Sequence, residues 1–282
     1  MSSPNPSTPR QFSVRSGITL QSDTYGSPSS PPVILAHGGG QTRHAWRNTG
    51  RLLAEAGFYS ICLDLRGHGS SDWCPNGDYR VEAFANDLVD ISGELATQPI
   101  LIGASLGGIA AMIAGGEVNT RLFKSVVFVD ITPHMEMDGV EKIVGFMKEH
   151  LEEGFSSLED AADAIARYMP NRPSPGNLDG LRKNLREIDG RYFWHWDPKF
   201  VTGVQRPSAS RDPERLARAV KQIEAPILLV RGRMSELVSE ACVDQFLELV
   251  PDAQFIDVEN AGHMVAGDRN DIFTEAILGF LA

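Results

Sequence analysis

The sequence predicts an α/β protein: a mostly parallel, doubly wound sheet with a helical cap inserted between two of its strands. Three observations carry that expectation. Six short apolar runs recur, in "PPVILAHGGG", "YSICLDLRG", "PILIGAS", "SVVFVDITP", "PILLVRG" and "QFIDVEN". Each is apolar almost without interruption, as parallel strands covered on both faces should be, rather than alternating. Helix-like segments separate most of them, and strand–helix–strand repetition argues for an open parallel sheet. Finally, one long stretch breaks the rhythm.

Taken in order, residues 1–12 ("MSSPNPSTPRQF") are rich in Ser, Pro and Asn and read as a disordered tail. The α/β core then spans residues 13–133 and 221–282. Within it "HAWRNTGRLLAEAG" and "VEAFANDLVDISGELA" read as amphipathic helices. From His134 to Val220 no strand-like run is evident; helical patterns, a break at "MPNRPSPGN" and the aromatic cluster "GRYFWHWDPKF" take its place. Residues 134–220 are therefore expected to form the cap.

Bulk properties narrow the function classes. The chain has 282 residues, 42% of them hydrophobic and 22% charged, which suits one globular core carrying an insertion. A formal net charge of −11 repels phosphate backbones, so neither nucleic acid nor anionic membrane is an expected partner. The N-terminal stretch has no apolar core of signal-peptide length, and no run approaches the roughly 18 apolar residues of a membrane span. Cys62, Cys74 and Cys242 fit neither a disulfide framework nor a zinc site and are expected as reduced thiols in a cytoplasmic protein. No ligand spacing points to a metal, and no cofactor is expected. Monomer and homodimer stay equally open.

The chemistry is concentrated where runs end. In open parallel sheets ligands sit at the carboxyl ends of the strands. Gly103-Ala104-Ser105-Leu106-Gly107 is a G-x-S-x-G match between a strand and a helix. There a serine occupies a cramped turn, with small residues two positions to either side because larger ones would strike the neighbouring strand and helix. Ser105 is thus the candidate nucleophile, and the N–H of Leu106, at a helix N-terminus, a candidate oxyanion donor. His263, in "ENAGHMVAGD" after the last strand, is the candidate base. In "LAHGGG" His37 is expected to hold the loop by hydrogen bonds while Gly39 supplies the second oxyanion donor, with Gly38 or Gly40 as substitutes. Two carboxylates could orient His263: Asp130, at the end of "SVVFVD", and Glu236, in "VRGRMSELVSE". An acid leaving the latter strand would fall at Ser235, which favours Asp130 and keeps Glu236 as the alternative. Asp64 reads as a structural residue of the turn "LRGHGSSD". Candidate substrate-binding walls are His44, Trp46, Met135, Trp194, His195, Trp196 and Met264, a lining suited to a partly apolar or aromatic small molecule.

Together "HGGG", "DLRGHGSSD", "GASLGG", "VDITP" and the late "AGH" resemble the α/β-hydrolase fold superfamily, in its order, from about Ser13 to Ala282. The segment "VVFVDITPHME" followed by a cap and "LLVRGRMSELVSE" is similar to a narrower, serine-nucleophile group. That group includes the (acetamidomethylene)succinate hydrolase of vitamin B6 breakdown and related esterase- and epoxide-hydrolase-like proteins. The resemblance implies that the acid is the aspartate after the strand preceding the cap, Asp130 here. It also implies that serine at position 105, where epoxide hydrolases and haloalkane dehalogenases carry aspartate, disfavours those two chemistries. The expected activity is cofactor-free hydrolysis of a small ester, lactone, thioester or amide through Ser105, His263 and Asp130. Its rivals are C–C bond hydrolysis, lyase or perhydrolase (haloperoxidase) chemistry in the same pocket, and a ligand-binding receptor retaining a slow triad.

Overall fold

The computed structural model describes residues 7–168, 178–207, 212–263, 265 and 270–281. Eight strands form one sheet: β1 (Thr8–Ser13), β2 (Thr19–Tyr25), β3 (Pro32–Ala36), β4 (Tyr59–Leu63), β5 (Ile100–Ala104), β6 (Ser125–Val129), β9 (Ile227–Gly232) and β10 (Gln254–Val258). Their spatial order is β1-β2-β4-β3-β5-β6-β9-β10. From β4 to β10 every neighbouring pair is parallel, while β1–β2 and β2–β4 are antiparallel. All six apolar runs are strands. β3, β4, β6 and β9 are buried along their whole length, the reason their sequences do not alternate.

Helices cover both faces. On one side lie α1 (Arg47–Glu55) and the C-terminal α9 (Asn270–Leu281), joined to the sheet by a core containing Val33, Leu35, Val127, Leu228, Phe273 and Ile277. On the other lie α2 (Val81–Gly93), α3 (Leu106–Ile113), α7 (Pro213–Lys221) and α8 (Glu240–Leu249), over Ile34, Ile61, Leu101, Phe128 and Leu229. Between β6 and α7 the chain forms α4 (Met137–Lys148), α5 (Leu158–Tyr168), a hairpin of β7 (Leu185–Ile188) with β8 (Arg191–Trp194), and the single turn α6 (Lys199–Thr202).

Three expectations need correction. Residues 8–12 are not a tail: Thr8–Ser13 pairs with β2 at the sheet edge and buries Phe12, a strand disguised by its polar outer face. Residues 1–6 lie outside the described chain. The cap region is not all helix, since β7 and β8 form a hairpin; four-residue strands are too short to stand out against their flanks. Nor does the cap reach Val220. α7 lies on the core, where Gly116 approaches so closely that a Cβ there would sit 2.0 Å from the Ala219 carbonyl oxygen. Arg215 of α7 also bridges Glu82 and Glu117.

The loop after β4 is the seat on which the inserted segment docks. Its anchor is Arg66, whose guanidinium makes a two-pronged pair with Asp87 of α2 at 2.7 and 2.5 Å, both side chains 2% exposed. Tyr79, from the far end of the same loop, donates its hydroxyl to Asp197 at 2.7 Å, and the Asp197 N–H donates to the Gly67 carbonyl. Removing one partner of a buried ion pair strands the other charge. Arg66→Leu is therefore expected to cost about 3–5 kcal/mol of stability, read as a lower denaturant midpoint with an unchanged slope; a midpoint equal to wild type would refute this.

Candidate active site

Five parallel strands that are adjacent in space deliver the candidate residues to one edge. β3 is followed by His37 and the glycine loop, β5 by Ser105, β6 by Asp130, β9 by Ser235 and β10 by His263. Chain distances of more than a hundred residues collapse because the parallel strands all point the same way.

Ser105 sits at φ +45°, ψ −112°, a backbone region side-chain-bearing residues avoid at a cost of about 1–3 kcal/mol. What enforces it is crowding. A Cβ on Gly103 would lie 2.8 Å from the Gly107 carbonyl, and a Cβ on Gly107 would lie 2.5 Å from the Ala36 oxygen. The Gly107 N–H instead donates to the His37 carbonyl at 3.2 Å, clamping α3 to the end of β3. Ser105 is half-buried, at the first turn of an entirely buried helix.

Asp130 has no exposed surface and also takes a positive φ, +49°. Its Oδ2 accepts from His263 Nδ1–H at 2.7 Å and from the Ser235 hydroxyl at 2.5 Å, while Oδ1 accepts from the Gly232 N–H at 3.0 Å. With its proton committed to Asp130 through Nδ1, the half-buried imidazole presents Nε2 as its basic nitrogen. Glu236, the alternative, is well exposed and pairs with Lys142 of α4 at 2.5 Å. The carboxylate set against His263 is thus Asp130.

The glycine loop is held by three buried histidines. His37 donates Nδ1–H to the Gly38 carbonyl and accepts the Leu65 N–H on Nε2. His68 donates Nδ1–H to the Arg66 carbonyl and accepts the Gly40 N–H at 3.1 Å. His195, from the inserted segment, accepts the Gly69 N–H on Nδ1 and donates Nε2–H to the Gly40 carbonyl at 3.2 Å. Every ring therefore uses one nitrogen as donor and one as acceptor, which requires the neutral form. Burial pushes each of the three down to about 3. The Gly38 N–H goes to Gln41 Oε1 at 2.9 Å. Among the described residues, that leaves the amides of Gly39 and Leu106 without an intramolecular acceptor. His37 thus holds the loop as the sequence suggested, and Asp64 holds its turn by accepting from the Arg43 and Ser70 amides.

The proposed walls fare unevenly. Trp196 lies against Gly40, stacked on Trp194 at 4.8 Å. Trp194 is tied to the Glu149 carbonyl and packs on Phe146 and Phe155, so it supports Trp196 from behind. Met135 packs on the large core. Trp46 is not a wall: it is 1% exposed and stacks on Phe273 of α9, its size filling the core between α1 and the C-terminal helix. His44 turns instead toward Asp23 of β2, at 3.8 Å, three strands away from β5. His195 is a tie and not a wall, with both nitrogens consumed. Met264 lies outside the described residues. Met147 and Phe200, which the sequence reading did not single out, meet the space beside Gly39 and Gly40. Nothing in their local spacing marks them, since contact is made only once the inserted segment folds over. Ser235 was visible as a position but not as a partner.

A family model described as alpha/beta hydrolase fold matches residues 31–269. The esterase Rv0045c of Mycobacterium tuberculosis is 30% identical over 262 residues, covering 90% of this chain and 83% of that protein. The 2-(acetamidomethylene)succinate hydrolase of Mesorhizobium japonicum is 29% identical over 228 residues, covering 79% of this chain and 78% of that protein. A crystal structure of E-2-(acetamidomethylene)succinate hydrolase superposes with a TM-score of 0.82 at 25% identity, covering 98% of this chain and 99% of its own.

The histidine clamp makes stability depend on acid. A base whose folded value lies below its unfolded value of about 6.5 contributes in full above that pH and loses its contribution as the pH falls toward 3, at up to about 1.4 kcal/mol per pH unit. Urea midpoints of wild type are expected to fall between pH 6.5 and 4.5 more steeply than those of His195→Gln. Parallel pH dependences would show that His195 is not held neutral.

Proposed function

Since the chain belongs to the α/β-hydrolase fold family, whose esterase and hydrolase members resemble it over most of its length, we propose that it is a cofactor-free serine hydrolase acting on small acyl compounds. The substrate class is an ester, lactone, thioester or amide with a partly apolar or aromatic body. The observation that carries the reading is the 2.7 Å hydrogen bond from His263 Nδ1 to a fully buried Asp130, delivered to the same sheet edge as the strained Ser105.

In this mechanism the Ser105 hydroxyl attacks the carbonyl carbon while His263 Nε2 takes its proton. Asp130 keeps the imidazole in the correct tautomer and stabilises the imidazolium that forms. Negative charge growing on the carbonyl oxygen is met by the amides of Leu106 and Gly39. The first is favoured by the partial positive charge of the α3 N-terminus, and both are free to donate without breaking an internal bond. His263 then returns the proton to the leaving group. Water repeats the two half-steps on the acyl-enzyme, releasing the acid and restoring Ser105.

Met147, Trp196 and Phe200 beside the glycine loop favour an apolar acyl or leaving group, because they offer contact area in place of hydrogen bonds.

A short p-nitrophenyl ester and a fluorophosphonate test the assignment together. Ser105→Ala is expected to lower kcat by about 10⁴-fold or more and to abolish fluorophosphonate labelling. Equal turnover by wild type and variant would end the proposal. Of the two carboxylates, Asp130→Asn is expected to cost about 10⁴-fold in kcat, whereas Glu236→Gln should stay within about twofold of wild type, as befits an exposed pair; the reverse order would move the acid to Glu236.

A further inference from the structure

We propose that Ser235 is a positioning residue for this hydrolysis: its hydroxyl fixes the Asp130 carboxylate in the orientation that serves His263. The inference rests on the assignment of Asp130 and His263 made above, and extends it from the ends of β6 and β10 to that of β9.

The hydroxyl is unusually determined. A serine oxygen can donate once and accept twice. Both acceptor positions of Ser235 Oγ are taken, by the backbone N–H of Leu237 at 3.1 Å and of Val238 at 3.2 Å. The turn that presents it is closed by the Ser235 N–H donating to the Gly232 carbonyl at 2.9 Å. The remaining hydroxyl proton points at Asp130 Oδ2, 2.5 Å away, the same oxygen that receives His263 Nδ1–H. Gly232, from the same turn, holds the other oxygen. Two groups on the β9 exit therefore stop rotation of a carboxylate that arrives from β6. Without Ser235, the β9 exit would hold the carboxylate by the Gly232 amide alone, and Oδ2 would be left bonded only to the imidazole it is supposed to orient.

A turn-capping role for Ser235 would need only its acceptor positions. The two roles separate because aspartate at position 235 can still accept from the amides of Leu237 and Val238, yet cannot donate when ionised. Beside Asp130 it would set two carboxylates against each other. Beside an uncharged residue 130, it would instead offer a carboxylate at the corner where His263 Nδ1 already points. The same substitution is thus expected to act with opposite sign in the two backgrounds.

The test is steady-state kinetics on a p-nitrophenyl ester with folding checked by thermal melting. Ser235→Ala is expected to lower kcat by about 10- to 100-fold with KM within twofold, the loss of one charge-assisted hydrogen bond, while Ser235→Thr keeps the hydroxyl and most of the rate. Ser235→Asp alone lowers kcat, whereas Asp130→Asn/Ser235→Asp exceeds Asp130→Asn by about tenfold or more. A folded Ser235→Ala turning over within twofold of wild type, or a double variant no faster than Asp130→Asn, overturns the proposal. Should Ser235→Ala fail to fold, the double variant decides. Asp130→Asn at the wild-type rate is a different failure: it brings down the Asp130 assignment itself, and the role of Ser235 with it.

Discussion

The arrangement depends on how closely α3 is allowed to approach β3. Residue 107 has no room for a side chain against the Ala36 carbonyl, and residue 103 has none against Gly107. That closeness lets the Gly107 amide bond to His37 and forces the intervening Ser105 into a positive-φ turn. The strain is local and the binding that offsets it is not. A helix buried on every side holds the turn in place, so the hydroxyl is lifted to the sheet edge at the expense of the whole α3 interface.

A second constraint concerns charge. Asp130 is a carboxylate without exposed surface, and such a group survives only where donors replace water. Three donors do so, from the β9 exit and the β10 loop, which means that one side chain ties together the ends of three adjacent strands. Asp130, Ser235 and His263 come from the ends of β6, β9 and β10 in spatial sequence. A shift of any of these strands along its neighbour would be felt at His263.

The inserted segment meets the glycine loop through a neutral histidine, His195, while its ion pair from Lys142 to Glu236 lies exposed at the β9 exit. His195 reaches the glycine loop and the loop after β4 at once, and His68 takes the Gly40 amide, next to that of Gly39. Neutral imidazoles suit this place because each can donate and accept without bringing a charge beside the glycine-loop amides. Docking of the insertion and the shape of the glycine loop thus rest on the same hydrogen bonds, with Arg66–Asp87 and Tyr79–Asp197 beneath them.

Much of this was legible before folding. Continuous apolar runs ending in Gly or Asp specify buried parallel strands because both faces must be covered, and small residues flanking Ser105 specify a turn that admits nothing larger. Together these specify the fold, the turn that carries Ser105 and the edge at which His263 must emerge. The edge strand β1 and the β7–β8 hairpin escaped, since polar or short strands carry too little periodicity. What the tertiary structure alone decided is which groups meet. Trp46 went to the core and Trp196 to the glycine loop, though both are tryptophans beside helices. Asp130 rather than Glu236 came to His263, and Ser235 became its brace. Spacing along a chain is set by local physics, but contact across β6, β9 and β10 is set by sheet order and register, which no short stretch of sequence encodes.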